Sequence, residues 1–163
     1  MKLKLATAAL IAFASFSAHA VQKDITITAS VDPTLEMLRA DGSALPSTLA
    51  MAYVPGSGLQ PVSIDTVIHS NLVTKDVEVR LVAAPTLINM IDAGSAPVPL
   101  SVSFGGQAIT TTATVIDATD LFPSGSSGAS VVKQLQISQT TAGILADAGS
   151  YQGVVSILVT QTP

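Results

Sequence analysis

The feature that most constrains the fold is the alternation of apolar and polar residues over Asp24–Asp32. A period of two is typical of an extended strand with one apolar face, and the β-branched content favours the same structure. Asp32-Pro33 ends the pattern, because proline has no N–H for a ladder and restricts the residue before it. The apolar positions are Ile25, Ile27, Ala29 and Val31.

The strand lies directly behind a predicted cleavage site. Met1–Lys4 is basic, Leu5–Phe16 is an uncharged apolar run, and Ala18–Ala20 has the small-x-small pattern of a signal-peptidase site. Residues 1–20 are therefore predicted to be a secretory signal peptide. The apolar run is shorter than the roughly 20 residues that cross a bilayer. The mature chain would begin at Val21, with the strand close to its N-terminus, free to pair in its own domain or in a neighbour's.

Composition excludes several functions. The chain has no cysteine, so disulfides and thiol chemistry are ruled out. After removal of Lys2 and Lys4 with the signal, five basic residues stand against eleven acidic ones, which argues against nucleic acid as a partner. Charged residues make up 11% of the chain, well below the usual share of about 25%. Such a surface suits a protein that is covered by copies of itself.

The rest of the chain predicts a single all-β domain. Short strands are expected over 48–54, 62–69, 77–82, 131–138 and 151–160, and Gly105-Gly106 predicts a tight hairpin between 100–104 and 108–115. Segments 34–39 and 86–91 fit either a strand or a helical turn, and 122–130 is expected to be an exposed loop. Seven or eight strands with frequent turns are typical of an antiparallel sandwich.

The residues give little support to catalysis. His69 is the single histidine of the mature chain and is interpreted as structural or solvated, since a metal site or a nucleophile–base pair needs further groups. Asp117 and Asp120 are interpreted as a solvated turn rather than a cation site. We expect no enzyme activity, no cofactor and no metal. With no tryptophan and 4% aromatic residues, a stacked-ring carbohydrate platform is also disfavoured.

Four motifs in the same order resemble the major pilins of the CFA/I type from enterotoxigenic bacteria, a group that includes the cable pilin of Burkholderia. They cover Val21–Pro33, Leu38–Pro46, Ser101–Gln107 and Ala148–Ser156. The segments 59–73 and 117–130 look less like the family.

The resemblance implies an incomplete immunoglobulin-like sandwich that lacks its last strand. A periplasmic chaperone would fill the gap first, and an outer-membrane usher would then exchange it for residues 21–33 of the next subunit. It implies export to a surface fimbrium, a homopolymer built on the body 34–163, and a minor tip adhesin. Whether the shaft also binds a host glycoconjugate is left open.

The residues agree with this interpretation. No strand is expected after Tyr151–Thr160, so its far edge would stay open to a chaperone or a donated strand. The residues predicted for this edge are Tyr151, Gly153, Val155, Ile157 and Val159. The four apolar residues of the N-terminal strand suit such a groove, and Asp32-Pro33 would form the hinge to the body.

Two other functions stay open at this point. The chain could be a self-contained secreted sandwich that binds a ligand such as a carbohydrate, with residues 24–32 folded back on their own domain. A tip adhesin is a weaker third possibility, since adhesins of this kind usually carry an extra receptor domain. Expression of the mature protein without a chaperone separates the first two, because the ligand-binding module predicts a stable monomer and the pilin predicts aggregates, oligomers or degradation.

The Asp32-Pro33 bond of the predicted hinge can affect how subunits are arranged. An X–Pro bond can populate both isomers, and we hypothesise that the isomer at Asp32-Pro33 sets the angle between successive subunits. Pro33→Ala is therefore expected to alter assembly or the helical pitch of the filaments, measured by electron microscopy. Filaments with wild-type pitch would contradict this role for Pro33.

Overall fold

The computed structural model describes residues 35–124 and 126–163. The predicted signal peptide, the strand Asp24–Asp32 and the Asp32-Pro33 hinge lie outside these residues. Twelve short strands and one helix of four residues make up the described part of the chain. In chain order they are β1 (Leu35–Arg39), β2 (Tyr53–Val54), β3 (Gly58–Leu59), β4 (Val62–Ser70), β5 (Val77–Leu81), β6 (Thr86–Asn89), β7 (Val98–Phe104), β8 (Gln107–Ile109), β9 (Thr114–Ile116), α1 (Ala118–Leu121), β10 (Lys133–Gln139), β11 (Tyr151–Gln152) and β12 (Ile157–Gln161).

The strands form a large sheet, a small sheet and a separate short hairpin. The large sheet has the order β1-β4-β10-β7-β6-β11, with β8 also paired to β7, and the small sheet has the order β12-β5-β9. Strands β2 and β3 pair only with each other in the described part of the chain. Every pairing is antiparallel, so the predicted all-β antiparallel class is confirmed.

One hydrophobic core lies between the two sheets. In β5, Val77, Val79 and Leu81 are buried, whereas Glu78 and Arg80 lie on the other face. This is the alternation that the sequence predicts for a strand with one face on the core. The large sheet contributes Ile68, Phe104, Leu135 and further apolar side chains to the same cluster. The burial of apolar residues from both sheets defines the molecule as a sandwich.

The glycine hairpin is confirmed. Gly105 and Gly106 join β7 to β8 as a two-residue loop, with φ of 57° and 84°. Positive φ at both central residues is the geometry of the turn whose twist matches a β-hairpin. The second strand is shorter than predicted, because it ends at Ile109 and the chain then crosses to the small sheet, where Thr114–Ile116 pairs with β5.

A turn at Asp41-Gly42 directly follows β1. Gly42 has φ of 83°, and the amide of Arg39 donates to the carbonyl of Ser43 at 2.9 Å. The Ser43 hydroxyl and amide both donate to the Asp41 carboxylate, at 2.5 and 2.9 Å. These hydrogen bonds lower the pKa of the exposed Asp41 carboxyl.

The last strand is not continuous, which corrects the prediction of one strand over 151–160. Tyr151-Gln152 pairs with β6 in the large sheet, whereas Ile157–Gln161 pairs with β5 in the small sheet. The chain changes sheets at Gly153, where a Cβ would collide with the backbone carbonyl oxygen of Thr86. Glycine therefore permits the close approach at this crossing.

Two further segments differ from the prediction. Of 48–54, only Tyr53-Val54 is in a strand, and this two-residue strand pairs with Gly58-Leu59. The loop expected over 122–130 is not fully exposed, since Phe122 is buried beside Leu121, the last residue of α1.

The first turn of this helix is fixed from a distant strand end, because the Ala118 amide donates to the Asp76 carboxylate at 2.8 Å.

The close approach at Gly153 should make this position intolerant of a side chain. Gly153→Ala places a methyl group against the Thr86 carbonyl and the Leu87 side chain, and backbone cannot move aside as a flexible side chain can. We expect the free energy of unfolding to fall by about 1–3 kcal/mol, measured by thermal denaturation with circular dichroism. In the control Gly94→Ala, the nearest atom is an Asp92 carboxylate oxygen at 3.2 Å, and the change should stay within about 0.5 kcal/mol. Equal melting of both variants would contradict the close-approach role of Gly153.

Candidate functional site

The candidate site is the side of the sandwich where β1 and β12 lie near each other. Strand β1 is the edge of the large sheet and β12 is the edge of the small sheet, and the two strands are in contact. We call the shared, incompletely covered margin along these two strands the edge groove, and its apolar side chains are Leu35, Met37, Val155, Ile157 and Val159.

The apolar side chains of this groove are incompletely covered. Val79 and Leu81 in β5 are 1% and 3% exposed, whereas their cross-strand partners Val159 and Ile157 in β12 are only partly buried. The same holds on the large sheet, where Ile68 is fully buried and its partner Met37 is partly buried. The apolar interior is therefore less completely buried at β1 and β12, the edge strands of the two sheets. This side of the sandwich is an exposed apolar edge.

The backbone of β12 is also open on the groove side. The Val82 amide donates to the Ser156 carbonyl at 2.9 Å, and the Thr162 amide donates to the Asp76 carbonyl at 3.0 Å. Because hydrogen-bonded pairs alternate in an antiparallel ladder, the even-numbered residues of β12 bond to β5. The N–H and C=O groups of Ile157, Val159 and Gln161 therefore point to the other edge, with which no described strand pairs.

Strand β1 has the same arrangement. The Ala40 amide donates to the Asp65 carbonyl at 2.8 Å, so Leu38 and Glu36 form the hydrogen-bonded pairs with β4. The backbone groups of Leu35 and Met37 then point away from β4. Leu35 and Met37 in β1, like Ile157 and Val159 in β12, thus combine an apolar groove side chain with backbone groups that face an edge with which no described strand pairs.

A polar contact closes one end of the groove. After Ile157 and Val159, the next inward position of β12 is Gln161. Its side-chain amide donates to the Ser70 hydroxyl at 2.7 Å and to the Leu72 carbonyl at 2.9 Å. Ser70 is 4% exposed and lies opposite Leu35. The amide therefore links the small sheet to the large sheet at the end where β1 begins.

Three of the five predicted edge residues meet in the groove, namely Val155, Ile157 and Val159. The other two do not, because they precede the sheet crossing. Tyr151 pairs with Asn89 in the large sheet, and its hydroxyl donates to the Asp147 carbonyl at 2.9 Å. Gly153 lies against Thr86. The predicted donor residues 25, 27, 29 and 31 lie outside the described part of the chain.

Sequence reasoning missed the residues on the opposite wall and at the closed end. Leu35 and Met37 belong to a segment that fits a strand or a helical turn, and it was the pairing with β4 that decided in favour of a strand. Gln161 continues the alternation of Ile157 and Val159, which was a usable signal. Its contact with Ser70 joins residues 91 positions apart, and no local pattern indicates that.

The other polar candidates lie elsewhere. His69 is exposed on β4, in register with Glu36 of β1. Asp117 precedes α1 and Asp120 lies in its first turn. Among residues 35–124 and 126–163, no three His, Cys, Asp or Glu side chains come together in a group that could hold a metal ion. No helix of the same residues has the length and apolarity needed to cross a membrane.

Comparison with known proteins gives consistent matches. Residues 21–160 match the family model of the CS1 type fimbrial major subunit. The chain is 43% identical to a CFA/I fimbrial subunit of Escherichia coli O78:H11 over 153 residues, which cover 91% of this chain and 89% of that relative. It is 41% identical to a CS1 fimbrial subunit of Escherichia coli over 157 residues, with coverages of 92% and 91%.

A solved structure agrees in fold. The CooA pilin from enterotoxigenic Escherichia coli superposes with a TM-score of 0.70 at 37% sequence identity, covering 80% of this chain and 88% of that one.

The open edge predicts an alternating pattern of amide exchange along β12. In the mature chain without residues 21–33, which has no strand to place in a neighbour, the amides of Leu158 and Thr160 should exchange slowly, because they bond to β5, whereas those of Ile157, Val159 and Gln161 should exchange rapidly. Hydrogen exchange followed by NMR measures this residue by residue. The central strand β10, which pairs on both sides, serves as the internal control. Uniform protection along β12 would show that another segment covers the edge.

Proposed function

The chain belongs to the family of CS1-type fimbrial major subunits, and from this premise we propose that it polymerises by donor-strand exchange into surface fimbriae used for adhesion to host cells or mucus. In this proposal, the edge groove of one subunit receives residues 24–32 of the next. The role is that of a structural polymer subunit rather than an enzyme.

The observation that carries the proposal is the edge groove itself. Both of its walls present partly buried apolar side chains, and each edge strand has one side with which no described strand pairs. An inserted strand would therefore gain ladder hydrogen bonds and bury its own apolar side chains in the same step. At about 25 cal/mol per Å² of apolar surface, the burial of Ile25, Ile27, Ala29 and Val31 would contribute several kcal/mol.

The ends of the groove support a head-to-tail filament. Strand β1 begins at Leu35 beside Ser70, at the closed end of the groove, and in this proposal the donor segment departs from that end. A donor strand antiparallel to β12 would emerge at the opposite end, next to Ile157, and its own body would dock there. Entry and exit at opposite ends generate an open chain of subunits, as heterologous contacts do. A parallel donor would place two bodies at the same end.

The same groove explains the partners that the proposal requires. An uncovered apolar edge promotes aggregation, so a periplasmic chaperone would have to cover it before assembly. An outer-membrane usher would then exchange the chaperone for the next subunit, and a minor adhesin would occupy the filament tip. The family match begins at residue 21, which supports a mature chain that starts at Val21 after export. The proposal includes a host glycoconjugate as a ligand of the filament shaft. An assay of adhesion to host cells tests this ligand.

A pair of charge substitutions in the donor segment tests the proposal. Ile27→Asp should reduce surface filaments by roughly tenfold or more, because an unpaired carboxylate is strongly disfavoured in an apolar groove. The matched control is Thr28→Asp, which places the same group on the opposite face of the strand and should leave filaments near the wild-type level. Negative-stain electron microscopy counts the filaments, and immunoblots of the periplasm verify equal amounts of the protein.

Two results would contradict the proposal. Equal filament numbers in the two variants would show that the apolar face of 24–32 does not enter a neighbour. A mature wild-type chain that is a stable monomer without any chaperone would favour the self-contained module instead.

A further inference from the structure

The closed end of the edge groove has a composition that differs from the rest of its wall. Going along β12, the inward side chains are Ile157, Val159 and then Gln161, with Val155 preceding them. The first three positions from Val155 onward are apolar, and the fourth is an amide. An incoming strand with a uniform apolar face would therefore match the groove at three positions and mismatch it at the last.

The amide at the closed end is held in place. Its Nε2 atom donates both to the Ser70 hydroxyl and to the Leu72 carbonyl, and the same hydroxyl accepts a bond from the Leu72 amide at 2.9 Å. Ser70 is nearly inaccessible, at 4% exposure. Displacing Gln161 to lengthen the apolar groove would leave buried polar groups without partners, which is unfavourable. The contact is thus a fixed boundary between the apolar groove and a polar end.

The N-terminal segment changes from apolar to polar in the same way. On the face that carries Ile25, Ile27, Ala29 and Val31, the preceding position is Lys23. If the segment lies antiparallel to β12, placing Lys23 opposite Gln161 puts Ile25 opposite Val159. Continuing in steps of two, Ile27 then lies opposite Ile157 and Ala29 opposite Val155. Every apolar wall position receives an apolar partner, and the lysine meets the polar end.

This inference rests on the proposed donor-strand exchange and adds a register to it. We infer that the Gln161–Ser70 contact is the stop that fixes the register of the donated strand, with Lys23 beside the stop and Ile25 opposite Val159. A shift of two residues further in would press Ile25 against the Gln161 amide. A shift of two residues outward would place the Lys23 ammonium among apolar side chains. A shift of one residue would turn the apolar face out of the groove.

Disulfide trapping in assembled filaments tests the register, and the absence of native cysteine makes it clean. Val159→Cys is combined in turn with Lys23→Cys, Ile25→Cys or Ile27→Cys in the full chain. Directly opposed residues have Cα atoms about 5.5 Å apart, within disulfide range, whereas diagonal neighbours are about 7–8 Å apart. After oxidation, denaturing gels should show a ladder of covalent multimers for the Ile25→Cys pair and monomers for the other two.

The stop is tested by adding Gln161→Leu to the same three pairs. This substitution removes the amide and extends the apolar wall by one position, so the Ile27→Cys pair should now also give a ladder. The matched control is Thr160→Leu, an exposed neighbour on the opposite face of β12, which should leave the ladder confined to the Ile25→Cys pair.

The outcomes distinguish the register from the proposed function. Filaments that crosslink mainly through the Lys23→Cys or Ile27→Cys pair would overturn the inferred register. Unchanged selectivity in the Gln161→Leu background would overturn the role of the stop. Filaments that form at the wild-type level yet give no ladder with any pair would overturn donor-strand exchange itself, and the register with it.

Discussion

The structure depends on one constraint, which is that each apolar face of a sandwich must be covered by something other than water. Within the described residues, β4, β10 and β7 satisfy it, because each has a strand on both sides and the small sheet above it. Strands β1 and β12 satisfy it on one side only. The partly buried state of Met37 and Val159, beside fully buried partners in the next strand, shows where the cover ends. The proposed polymer follows from this local deficit.

Much of the fold could be predicted because its signals are local. The alternation in Val77–Leu81 identified a strand with one buried face, and Gly105-Gly106 identified a two-residue hairpin whose backbone conformation only glycine adopts easily. Sheet crossings were missed because they depend on contacts distant in sequence. The Tyr151–Thr160 segment alternates well enough to suggest one strand, but the approach of Gly153 to Thr86 divides it between two sheets. Leu121 and Phe122 were hidden in a Gly- and Ser-rich context that resembles a loop.

The groove could be predicted in part for the same reason. Val155, Ile157 and Val159 follow a simple period of two, and the structure brings them onto one wall. The opposite wall requires knowledge that β1 pairs with β4, and the closed end requires the contact between Gln161 and Ser70 across 91 positions. The residue pattern therefore identified one wall of the groove, while the opposite wall and the closed end depend on tertiary packing.

The way β1 is attached has a mechanical consequence for a filament under tension. Only Pro33 and Thr34 separate the proposed donor segment, residues 24–32, from β1, which pairs with β4 along all five of its residues. Tension that reaches Leu35 along the axis of β1 would act across the hydrogen bonds of this strand, which run perpendicular to its axis. The bonds would then resist together in shear instead of opening one after another from an end. Tension in this direction would thus meet more resistance from β1 than the same force applied across the strand.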